Sequence, residues 1–148
     1  MTIQELIDTR LFTPVCVPKN TCIPISTPFC CDLLSIAMSR APQGCAWVTV
    51  MANINTLAVA SLTECACIIL AEGTAFDETC LQKAATQNIA VFTTDMSIFD
   101  AALSLWKAGA QNTADATSTV DATSTADATS TADATSTAAT KNTAGVPV

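Results

Sequence analysis

The residue types in this chain that could do chemistry are dominated by cysteine. Eight of the 148 residues are Cys, and there is no His and no Tyr. The commonest general base is therefore missing, and a Cys or Ser nucleophile would need a lysine or a carboxylate as its partner. Cys65-Ala66-Cys67 puts two sulfurs on one face if the segment is a strand, and Cys16, Cys22, Cys30 and Cys31 lie close together in sequence. Yet no CxxC pair occurs, and without His the usual zinc spacings fail. The expectation is no catalytic residue, no metal and no cofactor. Cys45, Cys65, Cys67 and Cys80 fall in or beside predicted regular elements, where Cys packs as a small hydrophobe.

Phosphate recognition would ordinarily use a glycine-rich loop before a helix. The glycines are Gly44, Gly73, Gly109 and Gly145, and no GxGxxG or Walker pattern is present. One anion site is conceivable, at the start of a helix predicted over 32–40 and preceded by Ser26-Thr27-Pro28-Phe29. Hydroxyls and free backbone N–H groups would meet the positive helix end there; the plain alternative is an ordinary N-cap. Asn53 and Asn55 follow a predicted strand, and open α/β sheets bind ligands at strand carboxyl ends. The candidate ligand-binding residues are therefore Ser26, Thr27, Asp32, Asn53 and Asn55.

The elements that must position these residues alternate. Thr2-Ile3-Gln4-Glu5 fits a capping box opening a helix over 3–10. Residues 11–28 hold Pro14, Pro18, Pro24 and Pro28, so strands there are short or at a sheet edge. The helix over 32–40 is read with Leu34, Ala37, Met38 and Ala41 on one face. Residues 46–51, 66–70 and 89–92 read as buried parallel strands. Between them, Asn53 or Asn55 caps a helix to Leu62, and Asp77 caps another with Leu81, Ala84 and Ala85 inward. A last helix over 97–108 opens at Ser97, with Phe99, Ala102, Leu103 and Trp106 as its apolar residues and Gly109 as its C-cap. The fold class is α/β: a single small domain with a mostly parallel sheet covered by helices, plus a disordered C-terminal tail.

Composition divides the chain into a folded domain, 1–111, and a tail, 112–148. The tail has no Leu, Ile, Phe or Met and repeats the hexad ADATST with one variant, VDATST. It is too poor in apolar surface to offset chain entropy. Net charge is −7, of which Asp115, Asp121, Asp127 and Asp133 against Lys141 give the tail −3. The domain's cations are scattered, so nucleic acid is not an expected partner. No apolar run suits a membrane span, and MTIQELIDTR lacks a cationic leader. The expectation is a cytoplasmic protein with no membrane partner and, in that reducing compartment, no disulfides.

Taken together, Cys31-Asp32-Leu33-Leu34-Ser35, Met38-Ser39-Arg40-Ala41, Ala46-Trp47-Val48-Thr49-Val50, Asn55 followed by Ala58-Val59-Ala60-Ser61-Leu62, and Ile68-Ile69-Leu70 resemble the small stand-alone DRTGG-domain proteins of anaerobic, clostridia-like bacteria. Phe92-Thr93-Thr94 and Ser97-Ile98-Phe99 fit the same pattern, and the resemblance excludes the tail. Related domains occur within phosphotransacetylases, beside CBS domains and at the N-terminus of HPr kinase/phosphorylase. The resemblance implies a non-catalytic regulatory or ligand-sensing domain, a homodimer, and a small anionic or nucleotide-like ligand. Its alternative is a protein–protein adaptor with a redox or signalling partner, such as a hydrogenase or sensor kinase; a third reading is a cysteine-bound metal or cluster carrier. The chain departs from the family at its name-giving motif. Ser26-Thr27-Pro28 precedes Phe29 where Thr-Gly-Gly is expected, and Asn53 stands where relatives tend to have His.

Overall fold

The computed structural model describes residues 1–115, with side-chain environments to residue 111. Element order is α1 (Ile3–Thr9), β1 (Thr13–Cys16), β2 (Pro28–Cys30), α2 (Leu34–Arg40), β3 (Ala46–Thr49), α3 (Ile54–Leu62), β4 (Cys67–Leu70), α4 (Glu78–Thr86), β5 (Ala90–Thr93) and α5 (Ile98–Asp115). The sheet order is β1-β5-β4-β3-β2. β2 to β5 are parallel neighbours laid down in chain order, and β1 joins β5 antiparallel at the far edge. The expected parallel strands are thus adjacent and parallel; β3 is two residues and β4 one residue shorter than predicted, and β5 keeps its length but starts one residue later. The proline-rich region supplies the two edges: Pro14 lies in β1 and Pro28 in β2, positions where a missing N–H is tolerated.

Each face of the sheet is covered, which is why β3 and β4 are buried at every residue. On one face α2, α3 and α4 bring Ala37, Leu57, Ala60, Cys80 and Ala84 against Trp47, Ile68, Leu70 and Val91. These are the three successive crossovers, and crossovers of one hand running in one direction must share a face. On the other face α1 and α5 bring Ile3, Leu6, Ala101 and Leu105 against Ala46, Val48, Cys67, Ile69 and Phe92.

Helix starts follow their capping residues. Thr2 and Glu5 form the reciprocal capping box of α1, Asn53 caps α3, and Asp77 accepts from the Cys80 N–H at the start of α4. The hydrogen bond from the Cys80 backbone N–H, and after it the Cys80 thiol, hold the Asp77 carboxyl below its ordinary value.

Helix faces differ from expectation in three places. Met38 is 53% exposed, while Ala37 carries the buried face of α2. In α4 the inward residue beside Ala84 is Cys80, and Ala85 is exposed. In α5 Ala101 and Leu105 are buried, whereas Phe99 is 71% and Trp106 60% exposed. Gly109 does not cap that helix: its φ is not positive, and α5 continues through the expected domain boundary to Asp115. The rest of the expected disordered tail, beyond Asp115, lies outside the described residues. Among the described residues, no helix is long and apolar enough to cross a membrane.

Candidate functional site

Five residues were expected to converge, and β2 divides them. Ser26 and Thr27 lie before β2, level with the amino end of β3: the Ser26 N–H donates to Gly44 O at 2.8 Å, and Thr27 O accepts from the Ala46 N–H at 2.9 Å. Asp32, Asn53 and Asn55 lie beyond the carboxyl ends of β2 and β3. At ~3.3 Å of rise per residue the two groups are roughly 15 Å apart. One ligand contact cannot use both, which corrects the expectation that Ser26 and Thr27 sit near Asn53 and Asn55.

The carboxyl-end group is bonded to itself. Asp32 Oδ1 accepts from the Thr49 hydroxyl at 2.7 Å and the Val50 N–H at 3.0 Å. Thr49 Oγ1 in turn accepts from the Met51 N–H, and the buried Thr56 hydroxyl donates to Met51 O at 2.6 Å. Asn53 Oδ1 accepts from the N–H groups of Asn55 and Thr56. α2 starts at Leu34 with Leu33 as N-cap and no side-chain cap. Asp32 therefore orients a hydroxyl and does not cap the helix. Nearby, the fully buried Trp47 donates its indole N–H to Cys31 O at 2.8 Å, tying β3 to the same loop. The combined effect is to lock two loops together and to engage one carboxylate oxygen of Asp32 and the amide oxygen of Asn53 within the protein.

The amino-end group is open. Ser26, Thr27 and Pro28 line a cleft of about 330 Å³ together with Met1, Ile25 and, from α5, Leu105, Trp106, Gly109 and Ala110. A Cβ placed on Gly109 would meet nothing within 4 Å, so this glycine leaves the α5 wall recessed. Trp106 offers a solvent-exposed ring at the rim. The Ser26 hydroxyl donates to Gln43 O at 2.9 Å, leaving its lone pairs available. Sequence reasoning missed Trp106 because it grouped the ring with the apolar residues of the helix; the visible signal was a large aromatic one turn from a glycine on a helix.

Beside that end two cysteines meet. Cys45 precedes β3 and Cys65 precedes β4, with their Sγ atoms 3.4 Å apart. The Thr63 hydroxyl lies 3.1 Å from Cys65 Sγ and 2.8 Å from Val59 O, so its one proton can serve either acceptor. The Cys45 contact, assisted by Thr63, brings the Cys65 thiol down to about 7 against the opposing effect of burial. Cys45, fully buried and bonded to Cys65, is pushed up. Cys67 does not share the Cys65 face, contrary to the strand reading of Cys65-Ala66-Cys67. Cys65 packs with the α2–α4 core and Cys67 with the α1–α5 core. The N–H groups of Ala66 and Cys67 both reach Cys45 O, at 2.8 and 3.5 Å, a bulge-like irregularity that breaks the alternation. All eight cysteines are free thiols, and no three potential metal ligands come together among the described residues.

A second cleft, also about 330 Å³, opens at the carboxyl ends of β4 and β5. Arg10, Thr13, Thr74, Thr94 and Asp95 line it, with Gly73 at φ +70° in its wall. It offers a cation and hydroxyls, and no exposed aromatic ring.

No protein-family model matches the chain, and a search of curated proteins found no match. Among solved structures the chain is similar to the CBS and DRTGG domains of the regulatory region of a Clostridium perfringens pyrophosphatase, determined with its activator diadenosine tetraphosphate. The TM-score is 0.60 at 14% identity, covering 72% of this chain and 46% of that one. The chain thus spans about half of the neighbour's length, and at this identity the likeness is one of fold.

Proposed function

We propose that this chain is a non-catalytic regulatory domain of the DRTGG type that senses a small nucleotide-like ligand in the cleft between α5 and residues 25–28. The likeness of its fold to a regulatory region that binds a dinucleotide activator carries this reading. The cleft adds the chemistry: Trp106 supplies a face on which a base stacks, and Ser26 and Thr27 supply hydroxyls. The domain's negative charge argues for recognition led by the base, with few phosphate contacts.

Titration with AMP, ATP and diadenosine tetraphosphate, followed by Trp fluorescence and thermal shift, tests it. The exposed Trp106 should be quenched while the buried Trp47 is not, so Trp106→Phe removes the signal. Gly109→Leu fills the recess and should abolish the thermal shift. If none of the three ligands shifts the melting temperature, the sensing role is wrong. If Arg10→Ala abolishes binding and Gly109→Leu does not, the ligand occupies the second cleft.

A second reading, self-association, rests on a separate observation. Leu33 at the N-cap of α2, Ile36 and Met38 on the two flanks of α2, and Ile54 of α3 leave apolar side chains exposed, the kind of surface that an interface covers. The occupant is a second copy of the chain. Sedimentation equilibrium should give a dimer that Met38→Glu converts to monomer; a monomeric parent chain excludes it.

A further inference from the structure

The thiol pair of Cys45 and Cys65 takes no part in that reading, and its geometry is specific. Two loops approach side by side: Gly44 N–H donates to Glu64 O at 2.9 Å, and Gln43 donates to the Glu64 carboxylate. Gly44 at φ 71° and Glu64 at φ 53° each turn the chain immediately before a cysteine. The following sulfurs are left in contact at 3.4 Å. A disulfide needs about 2.05 Å, so closing the gap requires a movement of side-chain size. Cys45 has no exposed surface, whereas Cys65 is partly exposed. Cys65 is therefore the member of the pair with a side open to solvent, and Cys45 is enclosed with its neighbour.

We propose that Cys65 and Cys45 form a hydroperoxide-responsive pair, with Cys65 the attacking and Cys45 the resolving thiol. The Cys65 thiolate attacks the terminal oxygen of a hydroperoxide, ROOH. An S–O bond forms, the O–O bond breaks, and the alkoxide leaves with a proton as ROH. Cys45 sulfur then attacks the Cys65 sulfenic acid. The S–S bond forms, the S–O bond breaks, and the hydroxide takes the Cys45 proton and leaves as water. Two thiols and one ROOH become a disulfide, ROH and water, with two electrons passing from sulfur to the peroxide. The Thr63 hydroxyl, within 3.1 Å of Cys65 Sγ, is the positioning group that turns its proton to the thiolate.

The competitors are the exposed Cys22 and Cys30 and the half-exposed Cys31. Each lacks a sulfur partner in contact. Lowering of the Cys65 thiol also favours its selection at neutral pH.

The test uses the reduced full chain, hydrogen peroxide as oxidant, and alkylation to quench. Trypsin together with a glutamate-specific protease cuts after Arg40 and Glu64, placing Cys45 and Cys65 on separate peptides. The expected product is a Cys45–Cys65 crosslink that dithiothreitol returns to two alkylatable thiols. In Cys45→Ser, dimedone should trap a sulfenic acid at Cys65. Thr63→Val should slow crosslinking several-fold and raise the midpoint pH of Cys65 alkylation, and Thr63→Ser should restore both. The crosslink in the unaltered chain does not depend on any variant folding. Oxidation confined to Cys22, Cys30 or Cys31, or a Cys65 sulfenic acid that persists in the unaltered chain, overturns the proposal. So does a Thr63→Val chain whose alkylation midpoint is unmoved, as regards the role of Thr63.

Discussion

At the carboxyl ends of β2 and β3, Asp32, Thr49, Asn53 and Thr56 direct their oxygens at one another and at local backbone N–H and carbonyl groups. At the amino ends of the same strands, Ser26 and Thr27 hold only neighbouring carbonyls and border a cleft with Trp106. Both ends use Ser, Thr, Asn and Asp. What separates them is the number of donors and acceptors the local backbone presents. After β3 the chain turns directly into a capped helix, and that turn engages Asp32 Oδ1, Thr49 Oγ1, Asn53 Oδ1 and Thr56 Oγ1. Before β2 the chain arrives extended from the far edge of the sheet, with no helix start to satisfy. Ligands usually bind beyond strand carboxyl ends. In this molecule the carboxyl ends of β2 and β3 are largely self-bonded, and the two clefts open elsewhere, at the amino end of β2 and at the carboxyl ends of β4 and β5.

The strongest way to break that contrast is Asp32→Ala. It removes the acceptor of the buried Thr49 hydroxyl and of the Val50 N–H, and should cost about 1–3 kcal/mol in urea unfolding. Asp32→Asn keeps an acceptor and should recover much of that loss. An Asp32→Ala chain as stable as the parent would show that the carboxyl end is not locked. Asn53→Ala removes two backbone partners at the start of α3 and should cost about 1 kcal/mol. At the open end the signs differ. Gly109→Ala enters empty space within a helix and should stabilise by about 0.5–1 kcal/mol. Trp106→Ala is the smallest effect, within about 0.5 kcal/mol, yet it should eliminate the fluorescence response to nucleotide. A large loss of stability on that change would place Trp106 in the core after all.

Capping and strand burial were legible from the residues alone. Thr2, Asn53 and Asp77 act on groups two or three residues away, so local sequence contains the whole interaction. The apolar runs of β3 and β4 admit one environment, a sheet covered on both faces. The face of α5 was not legible, because Phe99-Ala102-Leu103-Trp106 and Ala101-Leu105 both fit helical spacing. Choosing between them needs the width of the sheet, which admits alanine and leucine beneath the helix and leaves the aromatics outside. The separation of the candidate residues into two groups was hidden for a related reason. A three-residue edge strand, Pro28-Phe29-Cys30, converts neighbours in sequence into opposite ends in space. The meeting of Cys45 with Cys65 depends on two N–H groups sharing Cys45 O, a tertiary irregularity that no periodicity announces.

The antiparallel edge has a consequence for the order of assembly. β2 to β5 pair through successive crossovers, each closing a short loop. β1 pairs with β5 through Thr13 and Thr93, across most of the described chain, and Pro14 contributes no amide to that ladder. Loop-closure entropy makes such a pairing the last to be rewarded. The parallel strands are then the nucleus, and α1 with β1 closes over them as a late flap. Native-state hydrogen exchange should find the amides of β1 opening at lower free energy than those of β3 and β4.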